Sequence, residues 1–242
     1  MSDTTALNKT YFNKLGSDYD EKFREALTML EEELRRHKDF IAMRPGGRVL
    51  DYACGTGLLT NALSDQASEC IGVDVSETMI ERYNAKSSPE TLVVLSPRLT
   101  SIQGPKRKAY LGNLISKDEE PAALFSGGEF SGFDFAGVGM GFHHFDDPAL
   151  AATRLAERLA PGGVLFIVDF EPHDGPGHGH GGASGVKHHG FTEEGVRGIF
   201  EAAGAGGEFG FKRLERPLVF RGAREGGEDM VRKVFFARGS KL

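Results

Sequence analysis

An α/β fold on a mostly parallel sheet is what this 242-residue chain predicts, and three stretches carry the prediction. Val49-Leu50-Asp51-Tyr52 reads as the end of a buried strand, Gly55 and Gly57 as a tight turn, and Leu58-Leu59 as the opening of a helix. Ile71-Gly72-Val73-Asp74 is a second strand ending in an acid, 17 residues beyond Gly57. Val164 to Asp169 is a continuous apolar run, as in a strand covered on both faces. The turn needs glycine because a strand-to-helix reversal uses backbone angles that a Cβ forbids. The helix start aims free N–H groups at the turn, where an electron-rich ligand group can meet them. A carboxylate after the next strand of a βαβ unit accepts hydrogen bonds from both hydroxyls of a ribose. Together these features predict a nucleoside ligand at the edge of the sheet.

The dinucleotide fingerprint Gly-x-Gly-x-x-Gly fails at its third glycine, where Thr60 stands. Leu50-Asp51-Tyr52-Ala53-Cys54-Gly55-Thr56-Gly57 instead resembles motif I of the class I S-adenosylmethionine-dependent methyltransferases of small-molecule type. Gly72-Val73-Asp74-Val75-Ser76-Glu77-Thr78-Met79-Ile80 resembles that family's second motif. Phe133-Asp134 and Leu159-Ala160-Pro161-Gly162-Gly163-Val164-Leu165 match its fourth-strand and fifth-strand motifs, in order and spacing. The resemblance implies a Rossmann-like, seven-stranded, mostly parallel sheet with helices on both faces and a last strand inserted antiparallel. It also implies S-adenosyl-L-methionine as cofactor and methyl transfer to an O, N or S nucleophile of a small organic acceptor. On this resemblance the cofactor lies against Tyr11, Tyr19, Asp51, Ala53, Gly55, Thr56, Gly57, Asp74, Val75, Met79, Asn113, Leu114 and Val138. The family usually has Asp where Asn113 stands, accepting a hydrogen bond from the adenine amino group; Asn keeps an acceptor oxygen and loses the charge.

Length and mass suit one domain over residues 1–242. It divides into an N-terminal lid and helix (1–40), a cofactor-binding core (41–170), a flexible His/Gly-rich loop (171–190) and a C-terminal helix with strands (191–242). A net charge of −6 argues against nucleic acid as partner, and the one dense basic run, Lys106-Arg107-Lys108, reads as a solvated loop. Cys54 and Cys70 are too few for a disulfide framework and suit a reducing, cytoplasmic setting; Cys54 reads as packing inside the turn. No run is apolar enough to span a membrane and no secretory segment is visible, so the expected partner is a small-molecule acceptor, with the chain a monomer or homodimer. Ser240-Lys241-Leu242 reads either as a peroxisomal address, which needs a free tail, or as chance or a cloning remnant.

In order, residues to about Lys14 are polar and expected to order only with ligand. Phe23, Leu27, Leu30 and Leu34 mark one face of a helix over Asp18 to His37. Leu58 to Ala67 and Glu77 to Ala85 are the next helices, the second capped by Ser76. Ser87 to Lys108 is a long connection, with Leu92 to Leu95 either a short extra strand or an ordered loop. Ala109 to Leu111 is the third strand, Phe133 to Gly137 the fourth, and Pro148 starts a helix at a position that tolerates proline. Thr192 caps a helix to Ala203 that Gly204 stops. Two late strands cover about Gly210 to Leu214 and Val231 to Ala237, joined by a surface connection over Arg216 to Asp229.

The fourth strand ends at the reacting methyl, which puts His143 and His144 forward as catalytic residues. One reading is a general base for a protonated acceptor; the other is a packing or orienting pair. Met140, His188, His189 and Phe191 are the candidate acceptor contacts, and the aromatic Tyr11, Phe12 and Tyr19 either close over the cofactor or pack as a lid. Histidines 173, 178, 180, 188 and 189 have no fixed ligand spacing, so no metal site is assigned, and a lid over the acceptor is the alternative to metal binding. Alternatives to the small-molecule enzyme are a methyltransferase acting on protein or RNA, a non-catalytic S-adenosylmethionine-binding subunit and, more distantly, a nicotinamide-dependent oxidoreductase.

Overall fold

The computed structural model describes residues 3–86, 105–115, 125–174, 185–221 and 227–242. Nine strands are present among them: β1 (Gly47–Tyr52), β2 (Ala67–Asp74), β3 (Lys106–Leu111), β4 (Phe133–Gly139), β5 (Leu159–Phe170), β6 (Gly207–Arg213), β7 (Leu218–Phe220), β8 (Met230–Arg232) and β9 (Val234–Ser240). Seven make one sheet in the order β3-β2-β1-β4-β5-β9-β6. β1 to β5 run parallel, and β9 lies antiparallel to both β5 and β6. This is the seven-stranded, mostly parallel architecture with an inserted antiparallel last strand that the motifs imply.

The period-2 alternation of the strands builds two cores. Leu50, Tyr52, Val138, Leu165, Ile167 and Phe235 face one side, packed by α7 (Pro148–Arg158) and α8 (Glu193–Ala202) through Leu155, Val196 and Phe200. Val49, Phe135, Phe166, Val168 and Phe236 face the other, covered by α3 (Arg24–Arg36) and α5 (Leu58–Leu63) through Leu30, Leu34, Leu59 and Leu63. Helices on both faces leave the carboxyl ends of β1, β2, β4 and β5 as the place where loops can converge on a ligand. The expected caps form: Ser76 Oγ accepts from Met79 N–H at 3.3 Å, starting α6 (Glu77–Ala85), and Thr192 Oγ1 accepts from Gly195 N–H at 3.1 Å. Pro148 stands at the first turn of α7, capped by Asp147.

Three expectations are corrected, and both terminal segments are held by tertiary bonds. The N-terminal segment forms a helix, α1 (Asp3–Leu15), whose polar side chains have tertiary partners. Thr4 donates to Asp146 at 2.7 Å, Asn8 to the His144 carbonyl at 3.4 Å, and Lys9 and Asn13 to Glu77 at 2.5 and 2.8 Å. The helix expected over Asp18 to His37 is broken at Phe23, so that α2 (Tyr19–Lys22) turns over the glycine bend before α3 begins. β3 starts at Lys106, so the basic run is strand, and the Arg107 guanidinium lies 4.2 Å over the Tyr83 ring. The connection after Arg216 holds an antiparallel ribbon, β7 with β8, whose Leu218 and Met230 are buried. The C-terminal tripeptide is tied down: Ser240 pairs with Val164 in β9, Lys241 exchanges backbone bonds with Gly162 and Gly163, and Leu242 N–H reaches Gly204 at 3.1 Å. The Leu92–Leu95 segment, His178 and His180 lie outside the described residues, and no helix among the described residues is long and apolar enough to cross a membrane.

Candidate active site

One cavity lies over the carboxyl ends of the central strands. Ala53, Gly55 and Thr56 follow β1, Asp74 and Val75 end β2, Met140, His143 and His144 follow β4, and Phe170 ends β5. Tyr11 of α1, Tyr19 of α2, Leu27 and Leu30 of α3 and the β7–β8 ribbon cover it. Two non-glycine residues of this lining, Ala53 (φ 52°) and Met140 (φ 62°), hold left-handed backbone, a strained conformation that concentrates at functional sites.

The floor is fixed from below. Gly55 (φ 50°) sits where an added Cβ would meet nothing within 4 Å, leaving its backbone open to the cavity. Asp74 holds this turn: its Oδ2 accepts from Gly55 N–H and its Oδ1 from Ser76 N–H, both at 2.9 Å. Burial pushes the Asp74 carboxyl above the usual range, partly offset by those donors. Thr56 is tied to the lid, its hydroxyl donating to Asp20 Oδ1 at 2.6 Å while Lys86 bridges Asp20 and the Thr56 carbonyl. An open glycine backbone, a helix start and a carboxylate one strand over fit the adenosyl donor that the motifs imply.

The other predicted cofactor contacts lie outside the cavity lining. Asp51 points beneath the turn and accepts from Thr60 N–H at 3.1 Å and Thr60 Oγ1 at 2.9 Å. Gly57 (φ 100°) faces Arg107 and Tyr83, and a Cβ there would fall 2.5 Å from Arg107 Nη2. Asn113 Oδ1 accepts from the Tyr52 hydroxyl at 2.9 Å and Ile115 N–H at 3.0 Å, which occupies both of its lone pairs. Leu114 and Val138 are core.

Asp51 carries a pH prediction. Burial raises its carboxyl to about 7, against the lowering effect of the Thr60 bonds and Arg107. A raised folded pKa means that the folded state holds this proton through the range where the unfolded chain has lost it. Stability conferred by the group is therefore greatest at acid pH and drains away from about pH 4 to pH 7, by on the order of 4 kcal/mol. Urea unfolding at pH 4.5 and 7.5 is expected to show this decline in the native chain and a flatter profile in Asp51→Asn. Equal slopes would contradict it.

At the methyl end, Asp169 grips His143 twice. The His143 backbone N–H donates to Oδ2 at 3.0 Å and the ring Nδ1 lies 2.7 Å from Oδ1, which also accepts from Phe170 N–H at 2.7 Å. A carboxylate can only accept, so the ring, which lines the cavity, turns an Nδ1–H toward Asp169 and leaves Nε2 for other partners. Asp169 is fully buried and was not among the sequence candidates; its signal was an acid ending an apolar strand, as at Asp74. His144 lines the cavity with its ring 4.2 Å from that of His143. Of the acceptor candidates, Met140 and His189 line the cavity. His188 and Phe191 stand behind it: His188 Nε2 lies 3.0 Å from the Phe145 carbonyl, and Phe191 packs 5.2 Å from Phe142. The described residues contain no group of three or more His, Cys, Asp or Glu placed to hold a metal.

A methyltransferase-domain family model matches residues 23–205. An uncharacterised methyltransferase of Schizosaccharomyces pombe is 30% identical over 166 residues, 66% of this chain and 54% of its own length. A ubiquinone biosynthesis O-methyltransferase of Xylella fastidiosa is 30% identical over 132 residues, 53% of this chain and 45% of its own length. The chain thus spans about half the length of these curated relatives. Magnesium protoporphyrin IX methyltransferase from Synechocystis PCC 6803, solved with S-adenosylmethionine bound, superposes with a TM-score of 0.61 at 16% identity over 100% of this chain and 99% of that one, a likeness of fold. The family match covers the strand–turn–helix floor, the acid of β2 and the loop after β4, and the chain belongs to this methyltransferase-domain family.

Proposed function

We propose that the chain methylates a small organic acceptor at a hydroxyl or another protonated nucleophile, with His143 as general base and Asp169 as the residue that positions it. The observation that carries this reading is the doubly held His143 on the cavity wall next to the strand end where the methyl is expected. S-adenosylmethionine, when bound, supplies a methyl carbon on a positively charged sulfur, which departs as a neutral thioether. With the donor bound, Asp74 would hold its ribose hydroxyls and the Gly55 turn would meet its methionine half. Tyr11, Tyr19, Val75 and Met79, which line the cavity, would pack against the donor, and α1 with α2 would exclude water from above. The acceptor approaches from the side of Met140, Phe170 and His189. His143 Nε2 takes the proton that the acceptor oxygen loses as it gains the methyl group, and Asp169 stabilises the resulting imidazolium. A protein of net charge −6, whose cavity is walled by apolar side chains, suits a small molecule better than RNA. The relative named for ubiquinone biosynthesis, itself an O-methyltransferase, points the same way.

Incubating the protein with S-adenosylmethionine and a metabolite extract is expected to give, by mass spectrometry, a small molecule heavier by one methylene. Methyl label found only in the protein or RNA fraction would overturn the reading.

A further inference from the structure

The cover over the donor end of the cavity has two anchored parts and one lightly held part. α1 is fixed to the start of α6, where Lys9 and Asn13 pair with Glu77 and Asn13 Oδ1 accepts from Ser76 Oγ at 2.6 Å. α3 is fixed in the core through Leu30 and Leu34. Between them α2 has no buried residue. Tyr19 packs edge-on against Phe12 and Phe23, with ring centroids 6.3 and 5.0 Å apart, and both of these belong to the cover itself. Among the described residues, the side-chain bonds that tie α2 down to the floor come from Asp20.

Both Asp20 oxygens are used. Oδ1 accepts from the Thr56 hydroxyl at 2.6 Å, and Oδ2 pairs with Lys86 Nζ at 2.9 Å, which also donates to the Thr56 carbonyl at 3.0 Å. Thr56 is 4% exposed and follows Gly55 in the turn, whereas the Asp20 and Lys86 side chains are 33% and 35% exposed. The hold therefore sits mainly in the hydroxyl–carboxylate bond, since a water-accessible ion pair contributes little. Leu27, Thr56 and Leu58 line the main cavity and also a polar cleft walled by Asp20, Arg24 and Lys86, so this clasp stands at the partition between the two. A segment without buried side chains opens at low free energy, and a cover that excludes water from a reacting methyl has to open again before the spent donor leaves.

We infer that α2 is a flap over the Gly55 turn, held shut by Asp20, and that this clasp sets how long the donor and its spent form stay bound. Asp20 is a positioning residue: it acts through Thr56 on the turn that Asp74 holds from the β2 side. The inference rests on the placement of the donor over that turn and adds to it the residue that controls its release.

The test uses the full chain and follows release of labelled S-adenosylhomocysteine into an excess of unlabelled ligand. Thr56→Val, which keeps the shape and removes the hydroxyl, and Asp20→Ala are each expected to speed release about tenfold, the scale of one hydrogen bond to a charged group, with the association rate within about threefold of native. The double variant is expected to release no faster than the faster single one, because both remove the same bond. Thr56→Ser is expected to keep the native rate, and Lys86→Met to change it by less than about threefold. Native release rates in Thr56→Val and Asp20→Ala would overturn the inference. So would a loss of affinity that comes from slower association alone, or one that Thr56→Ser shares, as collapse of the turn would give. A native chain that takes up no S-adenosylhomocysteine would instead overturn the placement of the donor on which the inference rests.

Discussion

Asp74→Ala is expected to weaken S-adenosylmethionine binding by about 100-fold or more while leaving the sheet folded. The carboxylate has two duties at once. It holds Gly55 N–H and Ser76 N–H at 2.9 Å each, which fixes the glycine bend against the start of α6, and it faces the cavity where the ribose hydroxyls are proposed to lie. Removing it leaves two backbone donors without a partner, at about 1–3 kcal/mol each, and deletes a charged acceptor for the ligand, about 1.5–3 kcal/mol more. Part of the first cost falls on stability and the rest on affinity, because the bend relaxes before the donor arrives. Asp74→Asn separates shape from chemistry. Each oxygen accepts from a backbone N–H, so whichever way the amide is turned its NH₂ group meets another donor. That variant is expected to lose tenfold or more in affinity with near-native far-UV circular dichroism. Calorimetric titration with S-adenosylhomocysteine checks both, and an unchanged affinity in Asp74→Ala would remove the ribose role of this residue.

How far the site was legible follows from the kind of signal each residue leaves. The strand–turn–helix floor was readable because glycines at fixed offsets and an acid closing an apolar strand each reflect a backbone requirement. Asp169 leaves the same mark at the end of β5, but an acid there has no recurrent ligand to announce it, and its partner, 26 residues away, is brought near only by the sheet. α1 left no mark in the sequence because its order comes from Thr4, Asn8, Lys9 and Asn13 meeting distant partners, and polar residues in tertiary contact look the same in sequence as polar residues in water. The β7–β8 ribbon has three residues per strand, too few for an alternation to be recognised, yet it supplies part of the cavity wall. Arg107 was read as solvent-facing because charge dominates such a reading; its stacking on Tyr83 is visible only once β3 is placed beside β2. Asn113 shows the converse, a residue placed by its motif whose oxygen is spent on Tyr52 and Ile115.

The second large effect is on turnover. His143→Ala is expected to lower kcat by about 10²–10⁴-fold, the usual contribution of a positioned base, while S-adenosylhomocysteine affinity stays within about threefold. Its rate should also lose the pH dependence that the base imposes and instead follow ionisation of the acceptor itself. Asp169→Asn is the more discriminating change. Asp169 Oδ2 accepts His143 N–H, while Oδ1 serves both Phe170 N–H and the imidazole Nδ1. An amide nitrogen at the Oδ1 position donates to Nδ1 and so drives the ring hydrogen to Nε2, leaving a donor where the base must accept. An amide nitrogen at the Oδ2 position opposes the His143 N–H and pushes the loop after β4 away from the strand. In either orientation the base is lost although every imidazole atom is still present, so Asp169→Asn should resemble His143→Ala in rate and in pH profile. His144→Ala tests the alternative within the pair: its ring lies on the cavity wall without the Asp169 grip, so kcat is expected to change by less than about tenfold. A native pH profile in Asp169→Asn, or a larger loss in His144→Ala than in His143→Ala, would move the base away from His143.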